Sequence, residues 1–246
     1  MEDSVRSVER AFSILRAFTR DDYKLTLSEI AERISLPVTT TLRLANTLEG
    51  LGVLHRHSDR AYSLGSQLYL LGSIAKANFR PQQIIYPYMK SMRDATKEAV
   101  SLYGIEGLNR VCYEHADSLL SMRCVVRVGD RMPIWAGAGG KALLAFLDAK
   151  TLEAAIAQAR PLTDTTIFKR EDLLHEFANI RALGYATSRG ENEEGIYSIA
   201  VPIFNRRGEI TFSFSVAGPA TRFTEEIAVE WIPRIQALCR EISNQI

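Results

Sequence analysis

Residues 25 to 65 read LTLSEIAERISLPVTTTLRLANTLEGLGVLHRHSDRAYSLG. Thr26, followed three residues later by Glu29, has the form of a capping box, in which hydroxyl and carboxylate satisfy free N–H groups at a helix start. Leu27, Ile30, Ala31 and Ile34 then recur at i, i+3, i+4 and i+7, giving that helix one apolar face. Ser35 and Leu36 break the pattern, and Pro37 suits the edge of a second helix, where its missing N–H costs nothing. Thr41, Leu44, Ala45 and Leu48 repeat the buried spacing, and Gly50 and Gly52 end the helix. Val53 and Leu54 open a strand, Ser58 and Asp59 supply turn chemistry, and Tyr62 and Leu64 alternate on the return strand. Two short helices, a tight turn and a hairpin in this order are the pattern of a winged helix-turn-helix, which presents its second helix to the DNA major groove.

The opposite face of the second helix carries Thr39, Arg43 and Asn46, flanked by Thr40, Leu42 and Thr47. Hydroxyl, guanidinium and carboxamide groups are what base edges and phosphates hydrogen-bond. Thr39, Thr40, Arg43, Asn46 and Thr47 are therefore the candidate DNA contacts of the helix. His57 and Arg60, near the hairpin tip with His55 and Arg56, are those of the wing. A polar outer face alone marks only a surface helix; the order of turn, face and hairpin is what points to double-stranded operator DNA.

Net charge is only +1 over 246 residues, and residues 1 to 75 hold nine basic and nine acidic side chains. That balance excludes a polycationic nucleic-acid binder. Phosphate neutralisation supplies most non-specific affinity, so one copy should bind DNA weakly and a homodimer or homotetramer is expected. Length and apolar content allow one large or two small domains. Cys112, Cys124 and Cys239 are scattered, odd in number and without Cys-x-x-Cys spacing, which reads as reduced thiols of a cytoplasmic protein. The chain shows no signal peptide or long apolar run, so neither export nor membrane insertion is expected.

Residues 4–19 read as an opening helix with Val8, Ala11, Phe12, Leu15 and Phe18 on its core stripe, and residues 66–79 as an apolar linking helix. The expected divisions are a DNA-binding domain over 1–65, a linker helix over 66–80 and a C-terminal domain over 81–246. The last begins with a helix from Pro81 to about residue 98, with Ile84, Ile85, Tyr88, Met89 and Met92 apolar. Three strand-like runs follow: AVSLYGI (99–105), RVCYEHA (110–116) and LLSMRCVVRV (119–128). Helices are expected at GKALLAFL (140–147), TLEAAIAQA (151–159) and REDLLHEFANIRALG (170–184). GYATS (184–188), IYSIAVPIF (196–204) and EITFSFSVAG (209–218) read as strands, the latter two joined by a turn from Asn205 to Gly208. A terminal helix is capped by Thr224 and kinked or interrupted at Pro233. Strands, then helices, then hairpin strands describe an α+β domain with a largely antiparallel sheet.

The run Gly137-Ala138-Gly139-Gly140-Lys141-Ala142 fits neither nucleotide loop. A P-loop needs glycine where Trp135 stands and Ser or Thr where Ala142 stands. The dinucleotide pattern is met formally, but Pro133 sits in the segment that should be a buried strand, and no acid follows at the required distance. Two readings stay open on chemistry: a helix start whose free N–H groups face an anion in a pocket, or glycines that permit close packing. His175-Glu176 begins an H-E-x-x-H pattern that Asn179 breaks, so no metal site is expected, and no Gly-x-Ser-x-Gly elbow occurs. Neither a cofactor nor a catalytic set is indicated, which argues against an enzyme.

The chain resembles the IclR family of bacterial transcriptional regulators over nearly its whole length. The resemblance is carried by SVERAFSILRAF (7–18), LSEIAERISLPVTTTLRLANTLEGLGVL (27–54), RMPIWAGAGGKALLAF (131–146) and the run from Gly184 through Glu191, Gly195 and Ala200-Val201-Pro202. It implies a three-helix winged domain that pairs with its copy and a GAF-like sensor domain. It also implies that the loop 189–195 leads into a ligand pocket, with Ser188 and Ser198 at positions that touch effector, and it favours the pocket reading of the glycine-rich run. The candidate effector wall is then Trp135, Ala138, Gly139, Ser188, Ile196 and Ser198, and the resembled family points to small organic acids or aromatic catabolites.

Val38 and Leu42 stand where relatives often carry Lys and His, so the operator sequence is this chain's own. Serines replace the Asp and Cys common at positions 188 and 198, which removes a negative charge from the effector wall. The expected function is a ligand-responsive, DNA-binding transcriptional regulator. The rival readings are an enzyme with an attached regulatory DNA-binding domain, and a constitutive DNA binder with a silent sensor.

Overall fold

The computed structural model describes residues 5–246, and its contacts divide the chain after Phe79 into two compact units. No helix among the described residues is long and apolar enough to cross a membrane.

The first unit contains α1 (Arg6–Arg16), α2 (Leu27–Arg33), α3 (Val38–Gly50), the short strands β1 (Leu54–Arg56) and β2 (Tyr62–Leu64), and α4 (Ser66–Ala77). Thr26 and Glu29 form the capping box: the Thr26 hydroxyl accepts from the Glu29 N–H, and the Glu29 carboxylate accepts from the Thr26 N–H at 2.7 Å. Ser35 takes φ +52° in the turn, Pro37 stands at the N-cap of α3, and Gly52 takes φ +70° just beyond the helix. Ile30, Ala45 and Leu48 close on Ile14, Phe18, Leu25, Leu54 and Tyr62 as one core.

Three details of this unit differ from the sequence reading. The expected start of the opening helix at residue 4 lies outside the described residues. The α1 stripe runs through Ala11, Ile14, Leu15 and Phe18, while Val8 and Phe12 are exposed; the i, i+3, i+4, i+7 set that meets α3 begins at Ala11. Leu64 is exposed although its register partner Leu54 is buried, because Gly65 packs against the Gly52 carbonyl and turns the chain there into α4. The wing also gains a third backbone partner: Leu25 donates to Tyr62 at 3.0 Å and Tyr62 donates back at 2.7 Å.

The second unit opens with α5 (Arg80–Thr96) and continues β3 (Ala99–Glu106), β4 (Asn109–Ala116), β5 (Arg131–Pro133), α6 (Gly137–Leu144), α7 (Ala149–Ile156), α8 (Arg170–Leu183), β6 (Ala186–Arg189), β7 (Ile196–Phe204), β8 (Ile210–Pro219) and α9 (Glu225–Ser243). The six strands form one sheet in the order β5-β4-β3-β8-β7-β6, every neighbouring pair antiparallel. Helices α5 and α9 pack on one side of it, α6 with α8 on the other.

Residues 119–128 are not a strand. β4 takes the short β5 as its outer neighbour, and the run folds back irregularly, with the Leu120 N–H on the Ser118 hydroxyl and Arg123 on Asp117. Helix α6 begins at Gly137, three residues earlier than expected, and α9 runs uninterrupted through Pro233.

The capping box predicts a specific loss. Thr26→Ala should destabilise the first unit by about 1 kcal/mol without altering the second. Urea unfolding followed by backbone amide signals of α2 measures it, and an unchanged midpoint would show that the box contributes nothing to this turn.

Candidate functional site

On α3 the buried side is Thr41, Leu44, Ala45 and Leu48, so the opposite side faces solvent. Thr39, Arg43, Asn46 and Thr47 are exposed there and Thr40 is half-buried. Arg43 has no ion-pair partner among the described residues, whereas the Thr47 hydroxyl donates back to the Arg43 carbonyl at 3.0 Å. Of the two wing candidates, Arg60 is exposed at φ +67°. His57 is half-buried, with one ring nitrogen 2.9 Å from the Ser63 hydroxyl. Lys24 reaches Asp59 at 2.6 Å, and that bond holds the Asp59 carboxyl below its usual range. This cross-link between the segment before α2 and the wing had no local sequence signal, since the two residues lie 35 positions apart.

In the second unit, alternation along the strands decides which side chains share the α6 side of the sheet. Tyr103, Cys112, Ala186 and Ala200 belong to the core beneath α6. Ser188, two residues after Ala186, and Ser198, two before Ala200, therefore lie on that side and stand directly opposite each other across β6 and β7. Ser101 faces the same way, opposite Ser215 on β8 and His115 on β4. The Ser101 hydroxyl lies 2.9 Å from Nδ1 of His115, whose Nε2 is buried without a hydrogen-bond partner, 3.8 Å from Asp117. Burial holds the His115 pKa below its ordinary value, an effect only partly opposed by Asp117. Stability from His115 is thus lost as pH falls below the ordinary histidine range, where the unfolded chain binds the proton first.

The first turn of α6 lies against Tyr103 and the backbone of Ile134 with almost no clearance. A Cβ on Gly139 would stand 2.6 Å from the Tyr103 ring, and one on Gly140 would stand 2.4 Å from the Ile134 carbonyl oxygen. Ser213 donates to the Gly139 carbonyl at 2.8 Å, and burial pushes the Tyr103 phenol up to about 12. Trp135 is buried just before the helix with its indole N–H unpartnered, Ala138 is fully buried, and Ile196 is half-buried on the strand side of Ser198. Gly139 thus meets the packing requirement that the sequence left open.

The charges around α6 form a closed set. Lys141, 1% exposed, pairs with Glu176 and Glu191 at 2.6 Å each. Glu191 also accepts from the Gly137 N–H at 3.3 Å, so the chain's own carboxylate occupies one donor at the helix start. Thr166 and Thr163 donate to the Glu191 and Gly190 carbonyls at 2.7 Å each, fixing the loop in place. The stretch from Arg189 to Gly195 is therefore not merely a solvated loop. Ser213 and Ser215 fall in a stretch that reads from sequence only as a strand, and the roles of Lys141, His115 and Arg110 carry no local signal, because they depend on burial and on partners from other elements. All three cysteines are buried thiols, with burial raising Cys112 to about 12 and Cys124 to about 11.

Comparison with known proteins places both units. Residues 78–244 match the bacterial transcriptional regulator IclR C-terminal domain, and residues 7–58 match the IclR helix-turn-helix domain. The chain is 30% identical over 247 residues to the HTH-type transcriptional regulator KdgR of Escherichia coli, covering 99% of this chain and 94% of the relative. Its fold matches the IclR transcriptional regulator of Alicyclobacillus acidocaldarius with a TM-score of 0.86, at 25% identity and 98% coverage of each chain. It also matches an IclR homolog of Microbacterium hydrocarbonoxydans, solved with 4-hydroxybenzoate, with a TM-score of 0.76 at 26% identity, covering 96% of this chain and 99% of that one.

Removing Lys141 should leave two carboxylates facing each other in or near the core. Lys141→Met is expected to destabilise the second unit by about 3–5 kcal/mol. Urea denaturation monitored by tryptophan fluorescence tests this, and a variant within 1 kcal/mol of wild type, on the order of a single surface change, would refute the closed-set account.

Proposed function

Because the chain belongs to the IclR family of bacterial transcriptional regulators, we propose that it is a cytoplasmic regulator that binds operator DNA as a homodimer or homotetramer and answers to a small organic acid or aromatic catabolite. The observation that carries the DNA half is the free outer face of α3 beside a wing braced by Lys24 and Asp59. In this reading Arg43 reads a base edge, Thr39, Thr40, Asn46 and Thr47 flank it, and Arg60 and His57 reach the backbone from the wing. The exposed Val38 and Leu42 suit thymine methyl groups, replacing polar contacts with apolar ones.

Residues 1–65 act as the DNA-binding domain, 66–80 as the linker helix and 81–246 as the sensor. The apolar side chains that α1 and α4 leave exposed, among them Val8, Phe12, Tyr69, Leu71 and Ile74, support the pairing of copies. The effector sits against the polar row of the sheet near Ser188, Ser198 and Ile196, under the start of α6 at Trp135, Ala138 and Gly139. The relative solved with 4-hydroxybenzoate supports a ligand of that size and charge. Effector binding biases the arrangement of paired winged domains and hence operator affinity, which needs differential affinity for two states and no catalysis.

Arg43→Ala should weaken specific operator binding by about 1–3 kcal/mol and relax preference at one base-pair position. Gel-shift titration against operator variants measures both, and wild-type affinity in the variant would remove Arg43 from the reading set. Light scattering of the full chain without DNA should give at least a dimer. A monomer persisting at micromolar concentration would contradict the paired arrangement.

A further inference from the structure

Among the described residues five charged side chains are buried: Glu98, Arg110, Glu114, Lys141 and Glu191. Glu98, Lys141 and Glu191 stand in ion pairs, and Glu114 is hydrogen-bonded to neutral donors. Glu98 accepts from Arg222 at 2.6 and 2.9 Å. Glu114 accepts from Gln82 at 2.7 Å and from the His115 N–H at 3.1 Å, and Lys141 pairs with Glu191. Arg110 is the exception. Its guanidinium, on a residue only 5% exposed, donates to the Ala136 carbonyl at 3.0 Å and to the Met132 thioether at 3.3 Å. A thioether is a weak acceptor, and a guanidinium has five N–H donors. The Nε of Arg110 is buried with no partner, and no carboxylate lies within ion-pair distance of it among the described residues.

The position of this cation matters more than its isolation. Arg110 lies over the Tyr103 ring, 4.9 Å from its centroid, and its Nη1 stands 2.6 Å from where a Gly137 Cβ would be. It is therefore at the start of α6, on the side of the sheet that carries the serine row. The Gly137 N–H there is already taken by Glu191. An anion arriving at this helix start meets a donor set in which the unanswered charge is the guanidinium. Buried charges are stable when paired and fully hydrogen-bonded, and guanidinium and carboxylate share a two-pronged geometry.

We propose that Arg110 is the residue that reads the effector's charge: one carboxylate of the ligand takes the Arg110 Nε–H and an unused Nη–H beside the Tyr103 ring. This rests on the sensor reading of the second unit and adds to it the group that separates an acid from its neutral counterpart. The site then disfavours the amide of the same acid, which keeps one acceptor oxygen but turns an NH2 group toward the cation in place of the second and brings no charge to neutralise it.

The test uses the full chain and isothermal titration with 4-hydroxybenzoate, benzoate and pyruvate, each beside its primary amide. The expected result is that at least one acid binds wild type at least tenfold more tightly than its amide. Arg110→Met should then lose at least tenfold in affinity for the acid with little change toward the amide, and Arg110→Lys should recover part of it. The acid–amide comparison on wild type needs no variant, so it holds even if Arg110→Met folds poorly. Equal affinity of acid and amide for wild type, or undiminished acid binding by a folded Arg110→Met, overturns the assignment while leaving the sensor reading intact. Binding of none of the six compounds overturns both for this ligand class.

Discussion

Helix α6 lies against the sheet at a distance that only glycine allows, and most of the second unit's chemistry follows from that approach. Gly139 and Gly140 bring the helix backbone onto Tyr103 and the Ile134 carbonyl, where any Cβ would stand under 3 Å from its neighbour. Glycine costs helix stability because it loses more freedom on folding, so its repeated use inside the first turn of α6 is offset by packing and by the Ser213 bond to the Gly139 carbonyl. Once the helix is this close, Lys141 has no route to solvent and must be neutralised internally. Glu176 on α8 and Glu191 on the loop after β6 do so from two separate elements.

That neutralisation also decides what the helix start can offer a ligand. A free N-terminus attracts anions through its unpaired N–H groups and the helix dipole. Here Glu191 sits on the Gly137 N–H while holding Lys141, and threonines 163 and 166 hold the loop that carries it. The loop is thus tied to α6 by charge and to the α7–α8 connection by hydroxyls. An event that moved Glu191 would uncover a helix-start donor and leave the buried ammonium to Glu176 alone, an energetic coupling of loop to helix built into three side chains.

Local signals were legible and distant ones were not. The capping box at Thr26, the turn at Ser35 and Pro37, the buried spacing of α3 and the hairpin all rest on residues within a few positions of one another, and each is present as read except that Leu64 of the hairpin is exposed. The same holds for β7, β8 and the Asn205 turn, where Gly208 takes φ +77°. The strand expected at 119–128 failed because β propensity measures fit to a pleated surface, and β5 already takes the edge of β4. The α1 stripe failed by a rotation: Val8 and Phe12 are as apolar as Ile14, and only packing against α3 selects among them. For the candidate effector wall, the sequence reading puts Ser188 and Ser198 on strands, and the register adds that they are directly opposed. Arg110, His115 and Lys141 were invisible as site residues because a lone charged side chain in a strand or helix reads as surface until its burial is known.

The first unit poses the complementary problem of binding a polyanion without excess positive charge. Lys24, a cation beside the wing, is already paired with Asp59, and Arg33 of α2 is paired with Asp22. Among the described residues Arg43 and Arg60 form no ion pair, and both lie on the face that would meet phosphate and base. Two such groups release few counterions, so one copy has little non-specific affinity to draw on. The same unit exposes Val8 and Phe12 on α1 and Tyr69, Leu70, Leu71 and Ile74 on α4, and buries no residue of α4 at all. A helix this apolar is stable in water only when its face is covered. In the paired arrangement proposed above, a second copy would cover it and double the free arginines presented to one duplex, so that the apolar excess and the charge deficit of this unit would have one common remedy.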